Sequence, residues 1–341
     1  MHFGLFDHID RRDEAPGATY AGRIAMAVAA EKAGFYGYHL AEHHWTPLGM
    51  APSPGIFLSA VIQRTSTLRI GSMVHLLPVY HPLRLIEEIC MLDHLSGGRF
   101  DFGVGRGVSP FEIGYFGINS IEGYARYEET LDIVLKGLTS NSLDFRGRYY
   151  DFHAVPMEMK PLQKPYPPLW AGAGSPSSLD FCAQRGVHVV ALGPNVAVKA
   201  AADRYKESWE KFAAERTARN CPIGKPFIGH SLNIFVAETD EEAERIATPA
   251  FHRFHESLAH LWLKWRTRPA LIPNDLAAAR KSGSTVIGSP ATVRELLEKR
   301  FSETGTNYAM LEMAWGSLGH EAEMRSMQLF ASEVMPHFKG K

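Results

Sequence analysis

Three short stretches hold side chains that could do chemistry. His39-Leu40-Ala41-Glu42-His43, followed by His44, concentrates three imidazoles and a carboxylate. Such groups bind metal or move protons near neutral pH. The HxxEH spacing matches an inverted zinc-protease pattern when both histidines lie on one helix face. In a strand the same spacing sets them roughly 13 Å apart at ~3.3 Å per residue, too far for one zinc. The segment reads as the end of a strand, and three uses stay open: a metal pair, packed or solvent-facing histidines, or proton transfer by His43 or His44.

Phe102-Gly103-Val104-Gly105-Arg106-Gly107 follows another strand-like run. Its third glycine falls one position early for a dinucleotide fingerprint. Small residues here let backbone amides approach an anion, and the Arg106 guanidinium can make two charge-assisted hydrogen bonds to phosphate oxygens. The competing reading is a glycine-rich turn with Arg106 in a structural ion pair. Ala171-Gly172-Ala173-Gly174-Ser175-Pro176 also ends a strand and precedes a helix, which makes a second anion seat or simply a capped turn. His252, His255, His260, Trp262 and Trp265 crowd 251–268, ahead of a Pro- and Gly-punctuated stretch to Gly283. They belong either to a long loop that covers the site or to an amphipathic helix with incidental histidines.

These stretches need elements to hold them. Strand-like runs at 1–6, 35–41, 68–76 and 99–104, one ending in Leu-Trp-Ala-Gly-Ala-Gly, and runs near 187–192, 227–237 and 306–312 alternate with helical patterns. Eight parallel strands with crossover helices predict a (β/α)8 TIM barrel with an extended loop insertion before strand eight. On a barrel, functional residues belong at the C-terminal ends of strands, where all three motifs fall. We expect one domain over 1–341 with a lid-like insertion at about 251–285. The prolines at 156, 161, 165, 167 and 168 predict an irregular excursion there. The helix at 82–95 has more apolar positions than one stripe needs, which suggests either burial within the chain or a homodimer formed through helices about 54–65 and 82–95.

Composition excludes several classes. Lys+Arg 36 against Asp+Glu 37 gives 36 − 37 = −1, too balanced for a nucleic-acid partner or an anionic membrane surface. Three widely spaced cysteines without a CxxC pair argue against a disulfide framework, and no apolar run approaches a membrane span. A cytoplasmic location is expected.

Taken together, FGLF, GFYGYHLAEHHWTP, LLPVYHPLRLIEEICMLDHLSGGRFDFGVGRG, WAGAGSPSS, VIGSPATVRELL and LFASEVMPHF resemble the bacterial luciferase-like flavin-dependent monooxygenase superfamily, in particular its alkanal monooxygenase-like branch. The similarity spans nearly the whole chain. It implies a barrel that takes reduced FMN (FMNH2) from a separate flavin reductase, reacts it with O2 to a flavin C4a-hydroperoxide and oxygenates a small organic substrate. By position in the motifs, His43 is the implied catalytic histidine and His44 its support. Arg106, Gly174, Ser175 and Ser178 are the implied FMN phosphate contacts. Met73 and Val74 fall where relatives hold a non-prolyl cis peptide beneath the flavin ring. One departure marks this chain: Gly105 stands where luciferase carries a reactive cysteine, which argues against light emission from a long-chain aldehyde. An F420-dependent dehydrogenase of the same superfamily, a non-catalytic partner subunit and a zinc hydrolase are the competing functions; the leading reading assigns no metal.

Overall fold

The computed structural model of the chain describes residues 1–267 and 273–340. Eight parallel strands form the barrel: β1 (His2–Asp7), β2 (Gly37–Leu40), β3 (Arg69–Ser72), β4 (Phe100–Gly105), β5 (Leu169–Gly172), β6 (Val187–Ala191), β7 (Ile228–Val236) and β8 (Tyr308–Glu312). Each pairs with its sequence neighbour, and β8 closes the ring on β1 from Tyr308 beside His2 to Glu312 beside Phe6. The eight runs read from the sequence coincide with these strands. Helices on the outside bury their apolar stripes against the sheet, as the helix Gly123–Thr139 does with Leu131, Ile133, Val134 and Leu138.

The barrel is filled, not open. His39, Trp170, His188, Phe227 and Tyr308 pack ring against ring in its interior, and His39 Nε2 lies 2.7 Å from Tyr308 Oη. Burial, aided by Arg69, pushes His39 down to about 3, and burial with Arg69 and His39 does the same to His188. Both imidazoles are therefore neutral structural groups at ordinary pH.

Several elements escape the sequence pattern. A two-stranded antiparallel hairpin, Ser142–Arg146 with Asp151–Pro156, precedes the proline-rich stretch. Thr285–Gly288 adds a short parallel strand beside the later half of β7, from Asn233 to Val236. The helix starting at Asp240 runs to Lys264, because Ala259 and Leu261 continue the buried face set by Ala243, Ala247, Ala250, Phe251 and Phe254. Its N-cap Thr239 accepts the Glu242 N–H. The insertion expected at 251–285 is thus helical in its first part, and His252, His255, His260 and Trp262 ride on that helix. Residues 268–272 of the same insertion lie outside the described residues.

The helices Pro54–Ile62 and Pro82–Leu95 pack together. The second buries Leu85, Ile86, Ile89, Cys90 and Leu92, while Met91 and Leu95 remain about half exposed and Ile56 on its neighbour is 76% exposed. No helix among the described residues is long and apolar enough to cross a membrane.

Candidate active site

The loop leaving β2 delivers His43 and His44 to the C-terminal rim of the barrel. Each is gripped by a nearly buried carboxylate. His43 Nδ1 lies 3.1 Å from Glu112 Oε1, and the His44 backbone N–H donates to Glu112 Oε2 at 2.9 Å. With a carboxylate as its partner, Nδ1 carries the ring proton and Nε2 of a neutral His43 is left as an acceptor. Glu42 holds His44 Nε2 at 2.8 Å and accepts the Leu76 N–H and the Tyr80 hydroxyl, both at 3.0 Å. Each ring has 14% of its side chain exposed, so it meets solvent at one edge only.

Local sequence explains how Glu112 comes to face the histidines. Ser109 caps the short helix Pro110–Tyr115 by accepting the Glu112 N–H, and Pro110 supplies its first turn. A Ser-Pro-x-Glu run one residue past the Gly-Arg-Gly stretch is the signal that sequence reading could have used to find Glu112. On the other side, Gly49 lets its loop press against His43: a Cβ there would lie 2.5 Å from His43 Cβ. The same loop is tied to the insertion helix, since Thr46 Oγ1 donates to the Ser257 carbonyl at 3.0 Å.

A second imidazole pair was not anticipated. His8, just beyond β1, has Nδ1 2.5 Å from Glu312 Oε1 at the end of β8, and Asn233 of β7 donates to Glu312 Oε2 at 2.9 Å. The His8 and His43 rings are 5.4 Å apart. Burial acts to lower the His8 pKa, but the negative charges of Glu312, Asp10 and Asp7 outweigh it and the pKa is raised. His39, in contrast, is within the barrel, so the two histidines of the HxxEH pattern have separate partners. Among the described residues no group of three His, Cys, Asp or Glu side chains could hold a metal ion.

Arg106 and the Gly174–Ser178 segment leave the rim from neighbouring strands, β4 and β5, whose register pairs Gly103 with Trp170. The Arg106 guanidinium lies over the Tyr124 ring, 4.5 Å from its centre, and no carboxylate among the described residues pairs with it. That removes the structural ion pair as its explanation. Ser175 caps the helix Pro176–Arg185 in a reciprocal arrangement: Ser175 Oγ accepts the Ser178 N–H at 3.3 Å, and Ser178 Oγ accepts the Ser175 N–H at 3.1 Å. A Cβ on Gly172 or Gly174 would meet nothing within 4 Å, so the backbone there is open to a ligand. Adjacent strands thus bring a guanidinium and a helix N-terminus, both groups that attract anions, to the same rim.

Between these features the Met73–Val74 peptide is cis. β4 makes room for it with glycine. A Cβ at Gly103 would lie 1.9 Å from the Ser72 carbonyl oxygen, and one at Gly105 would lie 2.3 Å from Val74 Cγ2. Any side chain at 105 would collide with Val74, which accounts sterically for glycine at that position.

Aromatic side chains edge the mouth. Trp45, Tyr115 and Phe116 meet at 4.8–5.3 Å, and Phe116 and Trp45 also touch His44. Trp265, at the end of the insertion helix, stacks on Phe111 and donates its indole N–H to Tyr115 Oη at 3.1 Å.

The comparisons with known proteins agree with this arrangement. A family model described as luciferase-like monooxygenase matches residues 1–308. The chain is 39% identical over 336 residues to protein y4wF of Sinorhizobium fredii, covering 98% of this chain and 96% of that one. It is 27% identical over 252 residues to the oxygenase component of the flavin-dependent trigonelline monooxygenase of Acinetobacter baylyi, covering 72% and 67%. The crystal structure of the monooxygenase RslO1 from Streptomyces bottropensis superposes with a TM-score of 0.87 at 25% identity, covering 99% of this chain and all of that one. With the closed barrel and a match over nine-tenths of its length in agreement, this chain belongs to the luciferase-like monooxygenase family of flavin-dependent oxidoreductases.

Proposed function

We propose that this protein is the oxygenase component of a two-component system: it binds FMN reduced by a separate reductase and, with O2, oxygenates a small organic substrate. One observation carries the reading. A guanidinium with no carboxylate partner among the described residues and an open helix N-terminus leave adjacent strands on the rim that also carries the His43–Glu112 pair. These residues fit FMN: Arg106 would grip its phosphate, Gly174, Ser175 and Ser178 would supply the second contact, and the Met73–Val74 segment would seat the ring. The bound cofactor supplies the electrons that activate O2. The chain does the rest. His43 holds or accepts a proton at Nε2, Glu112 fixes its orientation, and the aromatic edge keeps water from the mouth. The exposed apolar surface of Ile56, Met91 and Leu95 supports a homodimer through helices 54–62 and 82–95.

Anaerobic titration with FMN, FMNH2 and F420 tests this. Tight binding of reduced FMN, followed on mixing with O2 by an absorbance phase distinct from reduced and oxidised flavin, is the expected result. Preference for F420 with no FMN binding would move the protein to the hydride-transferring branch. Failure to bind any of the three would make it a non-catalytic subunit.

A further inference from the structure

The rim has more polar machinery than the flavin reading uses. Glu312 has both oxygens committed, one to His8 and one to Asn233, and is 3% exposed. It therefore orients His8 through Nδ1 and leaves Nε2 with no partner among the described residues. An imidazole backed by a buried carboxylate is a strong proton acceptor, because the imidazolium it becomes is stabilised by the charge behind it. Apolar rings flank it: Phe6 at 4.7 Å and Phe254 at 6.0 Å from the His8 ring. Phe254 belongs to the same helix that ends in Trp262 and Trp265.

The edge of the mouth has its own peculiarity. Trp45 and Trp265 are more than half exposed, Tyr115 and Phe116 about two-fifths exposed, and all four are contiguous. Trp45 also holds a left-handed backbone conformation, φ 53°, which a bulky residue seldom adopts. Flat π faces presented to solvent beside a polar floor suit a planar ligand with one polar end.

We propose that the substrate is a flat aromatic compound bearing an acidic oxygen, a phenol or a carboxylic acid, with its ring received by Trp45, Phe116 and Trp265 and its oxygen by His8 Nε2. Glu312 is the positioning residue. A phenol gives its O–H proton to Nε2 as it binds, whereas a carboxylic acid, already ionised near neutral pH, meets an imidazolium whose Nε2 proton comes from water; in both cases an oxyanion is hydrogen-bonded to the imidazolium. This assignment rests on the barrel mouth being the substrate site, as in the function proposed above.

The test is calorimetric titration of the FMN-loaded protein with three probes: 2-naphthol, 2-naphthoate and 2-methoxynaphthalene. At least one acidic probe is expected to bind about tenfold or more tightly than the ether, roughly the 1.4 kcal/mol of one charge-assisted hydrogen bond. Preference for the naphthol identifies a phenolic substrate and preference for the naphthoate a carboxylate; either supports the assignment. His8→Gln should erase that preference and leave ether binding unchanged. Glu312→Gln, which keeps a hydrogen bond but removes the charge, should reduce it and stands in if the His8 variant does not fold. Trp45→Ala should weaken all three probes by a similar factor. Equal affinity for the three probes in the parent protein, or a preference that survives His8→Gln and Glu312→Gln, overturns the proposal. Flavin binding, read in the same samples by FMN fluorescence, reports separately on the cofactor assignment.

Discussion

In the function proposed above, Arg106 is the residue on which cofactor binding would turn. Its guanidinium has an aromatic neighbour and no carboxylate partner among the described residues, so removing it strands no paired charge and its effect reads directly on the ligand. Arg106→Ala is expected to weaken FMN binding about 10- to 100-fold, the range of ~1.5–3 kcal/mol for hydrogen bonds to a charged group. Fluorescence quenching of FMN measures it, and an unchanged dissociation constant would remove Arg106 from the phosphate site. Gly105 makes the opposite kind of prediction. Because Val74 Cγ2 sits where a Cβ would go, Gly105→Cys should destabilise the fold by ~1–3 kcal/mol, as overpacking does. Urea denaturation checks this; a variant as stable as the parent would show that Val74 yields without cost. At this scale the sequence showed which residues were present but not their partners. Glu112 lies 69 residues from His43 and Glu312 lies 304 from His8, separations that only barrel closure bridges.

Among the elements, the paired helices Pro54–Ile62 and Pro82–Leu95 present apolar side chains that their own packing leaves uncovered. If they meet a second copy, Met91→Glu should convert the protein to a monomer in sedimentation velocity without changing its helical circular dichroism. A parent protein that already sediments as a monomer would place the interface elsewhere. The strands were legible because each is short, apolar and bounded by turn residues. The hairpin at 142–156 was not: Ser142–Arg146 alternates polar with apolar, but its partner Asp151–Pro156 is mostly exposed and ends in the first of the crowded prolines. The insertion stayed open between a loop and an amphipathic helix because polar residues and Pro249 interrupt a buried face that tertiary contact sustains to Leu261.

For the whole molecule, the barrel interior sets a dependence on acid. His39, His188 and His230 are lowered in the fold, the first two to about 3, all chiefly by burial. Their stabilising contribution is complete above the unfolded histidine value near 6.5 and is lost as pH falls through the folded values. Asp10, raised by burial to about 7, works the other way: the fold keeps its proton, and that contribution fades as pH rises from 4 to 7. Asp101, also raised by burial, adds to the opposing side. Near pH 5 the unfolded chain therefore holds an excess of about one to two protons, and stability should fall by ~1.4–2.7 kcal/mol per pH unit on acidification. Urea midpoints measured from pH 7 down to pH 4.5 test the sign; a flat or rising profile would mean that the interior imidazoles are hydrated.

The tether between Thr46 and Ser257 joins the histidine loop to the helix that ends in Trp265. Whatever displaces that helix, whether an arriving molecule or a departing product, pulls on the segment that holds both imidazoles. Cutting the tether with Thr46→Val should leave the helix in place and quicken amide exchange across residues 43–49, whereas unaltered exchange would show the two parts to be mechanically independent.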